Sequence, residues 1–246
     1  MKHLGIGILI LVLNLFGCHQ AKKQLSSKKT NDSRSKNMPA LQNNKSDLGD
    51  NKSDLVDNKS DLVIDKKEIQ LLIGNVLLWA ESKKAPGLTP VITDSKDSLC
   101  IGFDDEKIKA NLEIFKSTGY FSVEFIDNYG QILQTLEKEM KDKKFAPWFT
   151  NELPPFNFAN DVDPWSDCQD VPYDTPNVYN LVEVHVVSLN KEQGELYWTW
   201  GGLKPDTDPS WKEFKYKFRV KKEDNRWKIS YLEGFDFKES VKYVNG

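Results

Sequence analysis

The chain has 246 residues and a net charge of −3, with 29% charged and 11% aromatic residues. Acidic and basic residues are interspersed, and no phosphate-binding glycine loop accompanies them, so the sequence predicts no nucleic-acid partner. The character of the sequence changes twice along the chain. We therefore divide it into a signal peptide (1–17), a spacer (18–65) and one folded domain (66–246) of ordinary single-domain length.

The first residues have the layout of a secretory signal peptide. A basic start at Lys2 is followed by an apolar run from residue 4 to 16, which is too short to span a bilayer comfortably. The run ends in Leu15-Phe16-Gly17-Cys18, which resembles the lipobox of bacterial lipoproteins. The resemblance implies that Cys18 becomes the lipidated first residue of the mature chain. The alternatives are an uncleaved anchor helix and an ordinary signal peptide with a chance cysteine.

Lipidation at Cys18 would make a membrane the first partner of this protein. Each buried methylene of an acyl chain contributes about 0.8 kcal/mol, so several chains together anchor firmly. Residue 19 is histidine rather than the aspartate that retains enteric lipoproteins in the inner membrane. This favours the outer membrane of a bacterial cell envelope, with the periplasmic and surface faces both open.

A hydrophilic spacer extends from residue 18 to 65. Its composition of Lys, Asn, Ser, Asp and Gln cannot bury enough apolar surface to fold. An NKSDL motif repeats in it, starting at Asn44, Asn51 and Asn58. One leucine per heptad is too little for a coiled-coil seam, and the repeated aspartates lack the glycine turn of a calcium loop. We interpret the segment as a disordered tether with a reach of roughly 40 Å.

The first half of the domain has helical periodicity. Apolar residues recur at helical spacing over residues 67–83, and Pro86-Gly87 ends this helix. A second helix is predicted from Asp104 or Asp105 to Gly119. A third is predicted from Ser122 to about residue 144, where several lysines suit the negative end of the helix dipole.

The second half of the domain alternates apolar and polar residues. Four strands are predicted in residues 180–190, 195–203, 211–223 and 226–235. Val, Leu, Trp, Phe and Tyr share one face, and charged residues share the other, which predicts one covered and one wet face. The sequence therefore predicts an α+β fold, with N-terminal helices packed on a curved, mainly four-stranded antiparallel sheet that forms a cone-shaped half-barrel.

This order of elements resembles the nuclear transport factor two-like (cystatin-like cone) superfamily. Trp227-Lys228-Ile229 is similar to the W-x-I of its final hairpin. Asp163-Pro164-Trp165 and Gln169-Asp170 resemble the D-P-[FW]-x-x-x-Q-D motif of an uncharacterised family of bacterial envelope proteins. The resemblance implies a fold but no reaction, because the superfamily includes enzymes, binding modules and immunity proteins.

Aromatic residues on the covered face form one candidate ligand site. They are Trp198, Trp200 and Tyr216. Their rings could stack on a sugar or another flat ligand, or they could fill a core in which large aromatic residues dominate. Neither reading requires a cofactor, and none is predicted.

The domain contains the cysteines Cys100 and Cys168. An even number of cysteines in an oxidising compartment is compatible with a disulfide. The two residues could equally lie apart as small buried side chains, and the sequence leaves both readings open.

The acidic stretch DVDPWSDCQDVPYD, residues 161–174, is the second candidate site. Its candidate ligand-binding residues are Asp163, Gln169 and Asp170. A calcium loop needs glycine and glutamate at its sixth and twelfth positions, which are Ser166 and Pro172 here. Zinc would need more histidine or cysteine ligands, so no metal is predicted. The prolines favour a stiff connection between helix and sheet, with a functional surface as the alternative.

No catalytic set emerges from the sequence. His185, the one histidine of the folded domain, falls on the wet face among surface charges. The sequence therefore predicts a lipid-anchored envelope protein that binds a protein or small ligand without catalysis. The alternatives are an envelope hydrolase or isomerase that uses Asp163 and Asp170, and an immunity protein against a secreted toxin. The oligomeric state is left open.

Overall fold

The computed structural model describes residues 53–94, 96, 98–173 and 175–244, with side chains from residue 62 onward. The signal peptide, Cys18 and most of the spacer lie outside these residues. The described helices are α1 (Ser53–Glu81), α2 (Asp105–Thr118), α3 (Val123–Lys141), α4 (Pro209–Glu213) and α5 (Phe237–Ser240), with short 3-10 turns at Val178–Leu181 and Glu233–Phe235. The strands are β1 (Val91–Thr93), β2 (Cys100–Phe103), β3 (Val182–Leu189), β4 (Gln193–Trp200), β5 (Tyr216–Glu223) and β6 (Arg226–Leu232).

Helix α1 begins earlier than the periodicity predicts. Its buried stripe includes Ile69, Ile73 and Val76, each fully buried against the sheet. The helix extends back to Ser53, through the last repeat of the predicted spacer and into the second. One reason is visible at Asp65, whose carboxylate accepts hydrogen bonds from Lys222 Nζ at 3.1 Å and from the indole Nε1 of Trp227 at 2.8 Å. These contacts attach the end of the spacer to the last hairpin.

Helices α2 and α3 begin where the sequence predicts, because each start carries a side-chain cap. Helix α2 also ends as predicted, whereas α3 ends at Lys141 rather than near residue 144. The Asp104 side chain accepts from two backbone amides of the first turn of α2, and Gly119 ends that helix in the left-handed conformation. Ser122 caps α3 by accepting from the amide of Phe125 at 3.2 Å.

The main sheet is antiparallel in the order β3-β4-β5-β6 and does not close into a barrel. Helices α1 and α3 contact the sheet, and the apolar side chains of its inner face join theirs in one core. The inner face consists of Val182, Val184, Leu196, Trp198, Trp200, Tyr216, Phe218, Val220, Trp227, Ile229 and Leu232. The outer face carries exposed or half-buried polar residues. The predicted α+β class and the two-faced sheet are confirmed.

Two parts of the chain differ from the sequence prediction. The hairpin β1-β2 was not predicted, because its strands are only 3 and 4 residues long. Residues 211–213, expected to begin a strand, belong instead to helix α4. Asp208 accepts a hydrogen bond from the amide of Ser210 at 2.8 Å, and Pro209 supplies a helical φ at the first position.

Two β-bulges interrupt the edge strands of the main sheet. Val186 pairs with Leu196 and Ser188 with Glu195, which leaves Val187 as the extra residue of β3. Val220 pairs with Ile229 and Arg219 with Tyr231, which leaves Ser230 as the extra residue of β6. Because Glu195 pairs with Arg219, both bulges lie at the same level of the sheet.

Candidate functional site

The acidic loop is held by its own backbone and by Asp163. The Asp163 carboxylate accepts from the amide of Trp165 at 3.1 Å, and its carbonyl accepts from the amide of Asp167 at 2.7 Å. This is a turn of the kind that aspartate stabilises. The turn directs Trp165 into the core, where its ring packs 4.6 Å from the ring of Phe235. The Asp-Pro-Trp sequence therefore builds a packed connection.

A buried tyrosine attaches this loop to the end of the sheet. The Tyr216 hydroxyl donates to the carbonyl of Pro164 at 2.6 Å and accepts from the amide of Gly234 at 3.0 Å. A Cβ atom on Gly234 would lie 2.1 Å from the Pro164 carbonyl oxygen. The loop can therefore approach the 3-10 turn this closely only because residue 234 is glycine.

The other two predicted residues of the loop make local contacts. The Gln169 side-chain amide donates to the carbonyl of Asp161 at 3.1 Å, and Asp170 accepts from the amide of Val171 at 2.8 Å. Both side chains lie at the surface. The Tyr216 hydroxyl is therefore joined to the loop at Pro164, next to Asp163. Gln169 and Asp170 are not part of this contact.

Asp167 is a residue of this loop that sequence reasoning missed. Asp167 is half-buried, and partial desolvation of its carboxyl group, together with the nearby negative charge of Glu233, raises its pKa to about 6. Its backbone is left-handed, with φ of 55°. Glu233 is held in turn by the amide and the Nζ of Lys217, at 2.9 and 3.3 Å. Asp167 and Glu233 are 66 positions apart in the sequence, so no local pattern marks the pair.

The predicted aromatic site lies inside the core. Trp198 and Tyr216 are 0% exposed and Trp200 is 4% exposed. The Trp198 ring lies 5.0 Å from that of Trp200 and 5.7 Å from that of Tyr216. Neither indole N–H has a hydrogen-bond partner among the described residues. These three residues therefore pack against one another and present almost no surface to a ligand from solvent.

Cys100 and Cys168 are both buried and are not joined by a disulfide. Cys100 lies in strand β2, and Cys168 lies in the acidic loop, where it pairs with Asp163 in an isolated bridge. Burial raises the pKa of the Cys100 thiol, which disfavours the reactive thiolate.

The outer face of the sheet presents aromatic rings beside cations. His185 stacks on Tyr197 with 4.8 Å between ring centroids, and Lys215 Nζ lies 5.3 Å from the same Tyr197 ring. Arg219 lies over the ring of Tyr231 at 4.6 Å. His185 Nε2 also shares a 2.9 Å hydrogen bond with the hydroxyl of Thr199. This contact holds the imidazole ring as part of the outer face.

A groove crosses this outer face at the level of the two bulges. It has a volume of about 390 Å³, and its lining includes residues from all four strands and from the start of α3. Its polar lining includes Glu124, Ser188, Glu195, Arg219, Lys221 and Ser230. We call this feature the outer groove. Its charged and hydroxyl side chains can bind a polar ligand.

The described part of the chain offers neither a cluster of metal ligands nor a membrane-spanning helix. No three His, Cys, Asp or Glu side chains of these residues lie together in a way that could hold a metal ion. None of the helices within the same residues has the length and apolar character needed to cross a membrane.

Comparison with protein-family models, with curated proteins and with solved structures found no match to this chain. The outer groove and the loop around Tyr216 are therefore interpreted from their own chemistry.

Proposed function

We propose that this chain is a lipid-anchored protein of the bacterial cell envelope whose folded domain binds a polypeptide on the outer face of its sheet, without catalysis. The signal sequence and Leu15-Phe16-Gly17-Cys18 support the anchor. The order of helices and sheet is compatible with the proposed relationship to nuclear transport factor two-like domains.

The composition of the outer face is the observation that carries the binding proposal. Tyrosine and arginine side chains are enriched where protein interfaces concentrate their binding energy. This face presents Arg219 exposed and Tyr197 and Tyr231 half-buried. The cations Lys215, Lys217 and Arg219 stand among the anions Glu183, Glu195 and Glu233. A face with both signs suits a polypeptide, whereas a nucleic acid or an anionic lipid surface would favour a uniformly basic one.

Binding is favoured over carboxylate chemistry by the contacts of the acidic loop. Asp163 and Asp170 each direct a carboxylate oxygen to a neighbouring backbone amide. Those hydrogen bonds give both residues a role in shaping the loop. The aromatic inner face is equally occupied, since Trp198 and Tyr216 have no exposed surface.

Site-specific photo-cross-linking in cells tests the proposal. A photoreactive amino acid replaces Tyr197 on the outer face of the lipidated chain, and in the control chain it replaces Glu113, whose side chain is 71% exposed on α2. We expect a polypeptide adduct at position 197, none at position 113, and loss of the adduct when Arg219→Glu is added. Equal adducts at both positions, or none at 197, would contradict binding at this face.

Anchoring is tested separately with Cys18→Ala. The wild-type chain should partition into the detergent phase and incorporate labelled palmitate, because its acyl chains bury many methylenes. The variant should lose the label and remain in the unprocessed form. A wild-type chain without label would contradict the lipoprotein assignment and leave the cross-linking result unaffected.

A further inference from the structure

We propose that the outer groove binds a short peptide that carries both a free amino group and a free carboxyl group. This inference rests on the proposed function, since it names the ligand chemistry of the same face. Two features of the groove lead to it: a bulge places the hydroxyl of Ser230 in its lining, and the opposite charges of Glu195 and Arg219 are not joined in an ion pair.

The bulge of β6 places a polar side chain at the floor of the groove. Ser230 is the extra residue of that strand and is only 8% exposed, yet it lines the groove. Its hydroxyl makes no hydrogen bond to any other residue in the described ranges. The hydroxyl itself is not cut off from solvent, so a polar ligand could take the place of water as its hydrogen-bond partner. Bulges often re-aim side chains in this way beside binding sites.

The charges of the groove are open to a ligand. Glu195 and Arg219 face each other across β4 and β5, but no ion pair within 4.0 Å joins them in the part of the chain described. Arg219 is instead held over the Tyr231 ring. Lys221 is partly engaged, with its Nζ 3.7 Å from Glu223. Arg219 is therefore the principal cation available to a ligand.

These charges select a ligand with both signs. A guanidinium recognises a carboxylate through paired hydrogen bonds, so Arg219 suits the carboxyl end of a peptide. Glu195 and Glu124 suit an ammonium group, and they would repel a simple anion. Hydroxyls such as those of Ser188 and Ser230 can bind the peptide groups between the two ends. A volume of about 390 Å³ accommodates a few residues.

Calorimetric titration with tetraalanine tests the inference on the purified full-length chain. Tetraalanine should bind, and blocking either its amino end by acetylation or its carboxyl end by amidation should weaken binding at least tenfold. In Arg219→Gln the free and amidated peptides should bind equally. In the double variant Glu124→Gln/Glu195→Gln the free and acetylated peptides should bind equally, because both partners of the amino group are removed.

Lys109→Gln provides the control, since Lys109 lies on helix α2, outside the groove lining, with its side chain 69% exposed. It should leave all three affinities unchanged. No binding of tetraalanine, or equal binding of free and blocked peptides to the wild-type chain, would overturn the inference. If position 197 still cross-links to a polypeptide in cells, that failure concerns the ligand chemistry alone. If cross-linking also fails, the binding face itself is wrong.

Discussion

Tyr197 and Trp198 are neighbours in strand β4, yet they belong to two regions of opposite character. Trp198 lies on the inner face, fully buried, with aromatic rings around it. Tyr197 lies on the outer face, half-buried between His185 and Lys215. The aromatic residues of the inner face pack in the core, and those of the outer face lie at the surface beside cations. The difference places the packing that stabilises the domain on the inner face, and it makes the outer face the surface on which we propose that a polypeptide binds.

Alanine substitutions at these two neighbours give the largest expected contrast. Trp198→Ala should lower the free energy of unfolding by about 3–5 kcal/mol, because it leaves a large cavity in the core. Tyr197→Ala should cost less than about 1 kcal/mol, since a cross-strand surface pair contributes little. Denaturant titration of both variants measures the difference. Similar losses at the two positions would show that the faces are not divided as described.

Glycine substitutions test how the acidic loop is attached to the inner face. Gly234→Ala should destabilise the domain by about 1–3 kcal/mol, because the new Cβ would collide with the Pro164 carbonyl. Gly130→Ala is the matched control on helix α3, where a Cβ meets nothing within 4 Å. It should raise stability by up to about 1 kcal/mol. Thermal unfolding of both variants measures these changes in stability. A Gly234→Ala variant as stable as the wild-type chain would argue against the close approach of the loop.

Asp167, in the acidic loop, gives the smallest expected effect, and the size of that effect depends on pH. Its folded-state pKa of about 6 exceeds the usual value of 3.8, so folding favours the protonated form. The stability that this group contributes is present below about pH 4 and is lost as pH rises through 6. Asp167→Asn should therefore stabilise the domain by about 1–2 kcal/mol at pH 7.5 and by nothing at pH 3.5. Unfolding curves at both pH values measure this, and an equal gain at both would contradict the assigned pKa.

The local structure of the domain could largely be predicted from the sequence. Asp104 and Ser122 mark the starts of α2 and α3, and Gly119 marks an end, because caps are local interactions. Strict alternation predicts which face each residue occupies in β4 and in residues 216–220 of β5, whereas a bulge interrupts it in β3 and in β6. The same alternation places Trp198 and Trp200 on the covered face, and their burial follows from the helices packed there.

The bulges that shape the outer groove, and the long-range contacts of the acidic loop and the spacer, could not be predicted from the sequence. A bulge adds one residue without a distinctive composition, so Val187 and Ser230 read as ordinary members of their strands. Asp167 and Glu233 come together only through the attachment of the loop to Tyr216. Asp65 belongs to a repeat that reads as hydrophilic spacer, and its contact with Trp227 depends on the distant last hairpin.

Hydroxyl-radical footprinting of the unmodified protein tests the division between the two faces most directly. The purified chain and the chain in intact cells are oxidised under the same conditions, and modification is measured at single residues. We expect Tyr197 and Tyr231 to be modified in the purified chain and protected in cells, where a ligand covers the outer face. Trp198 and Trp200 should stay unmodified in both samples. Modification of Trp198 in the purified chain, or equal modification of Tyr197 in both samples, would contradict the account.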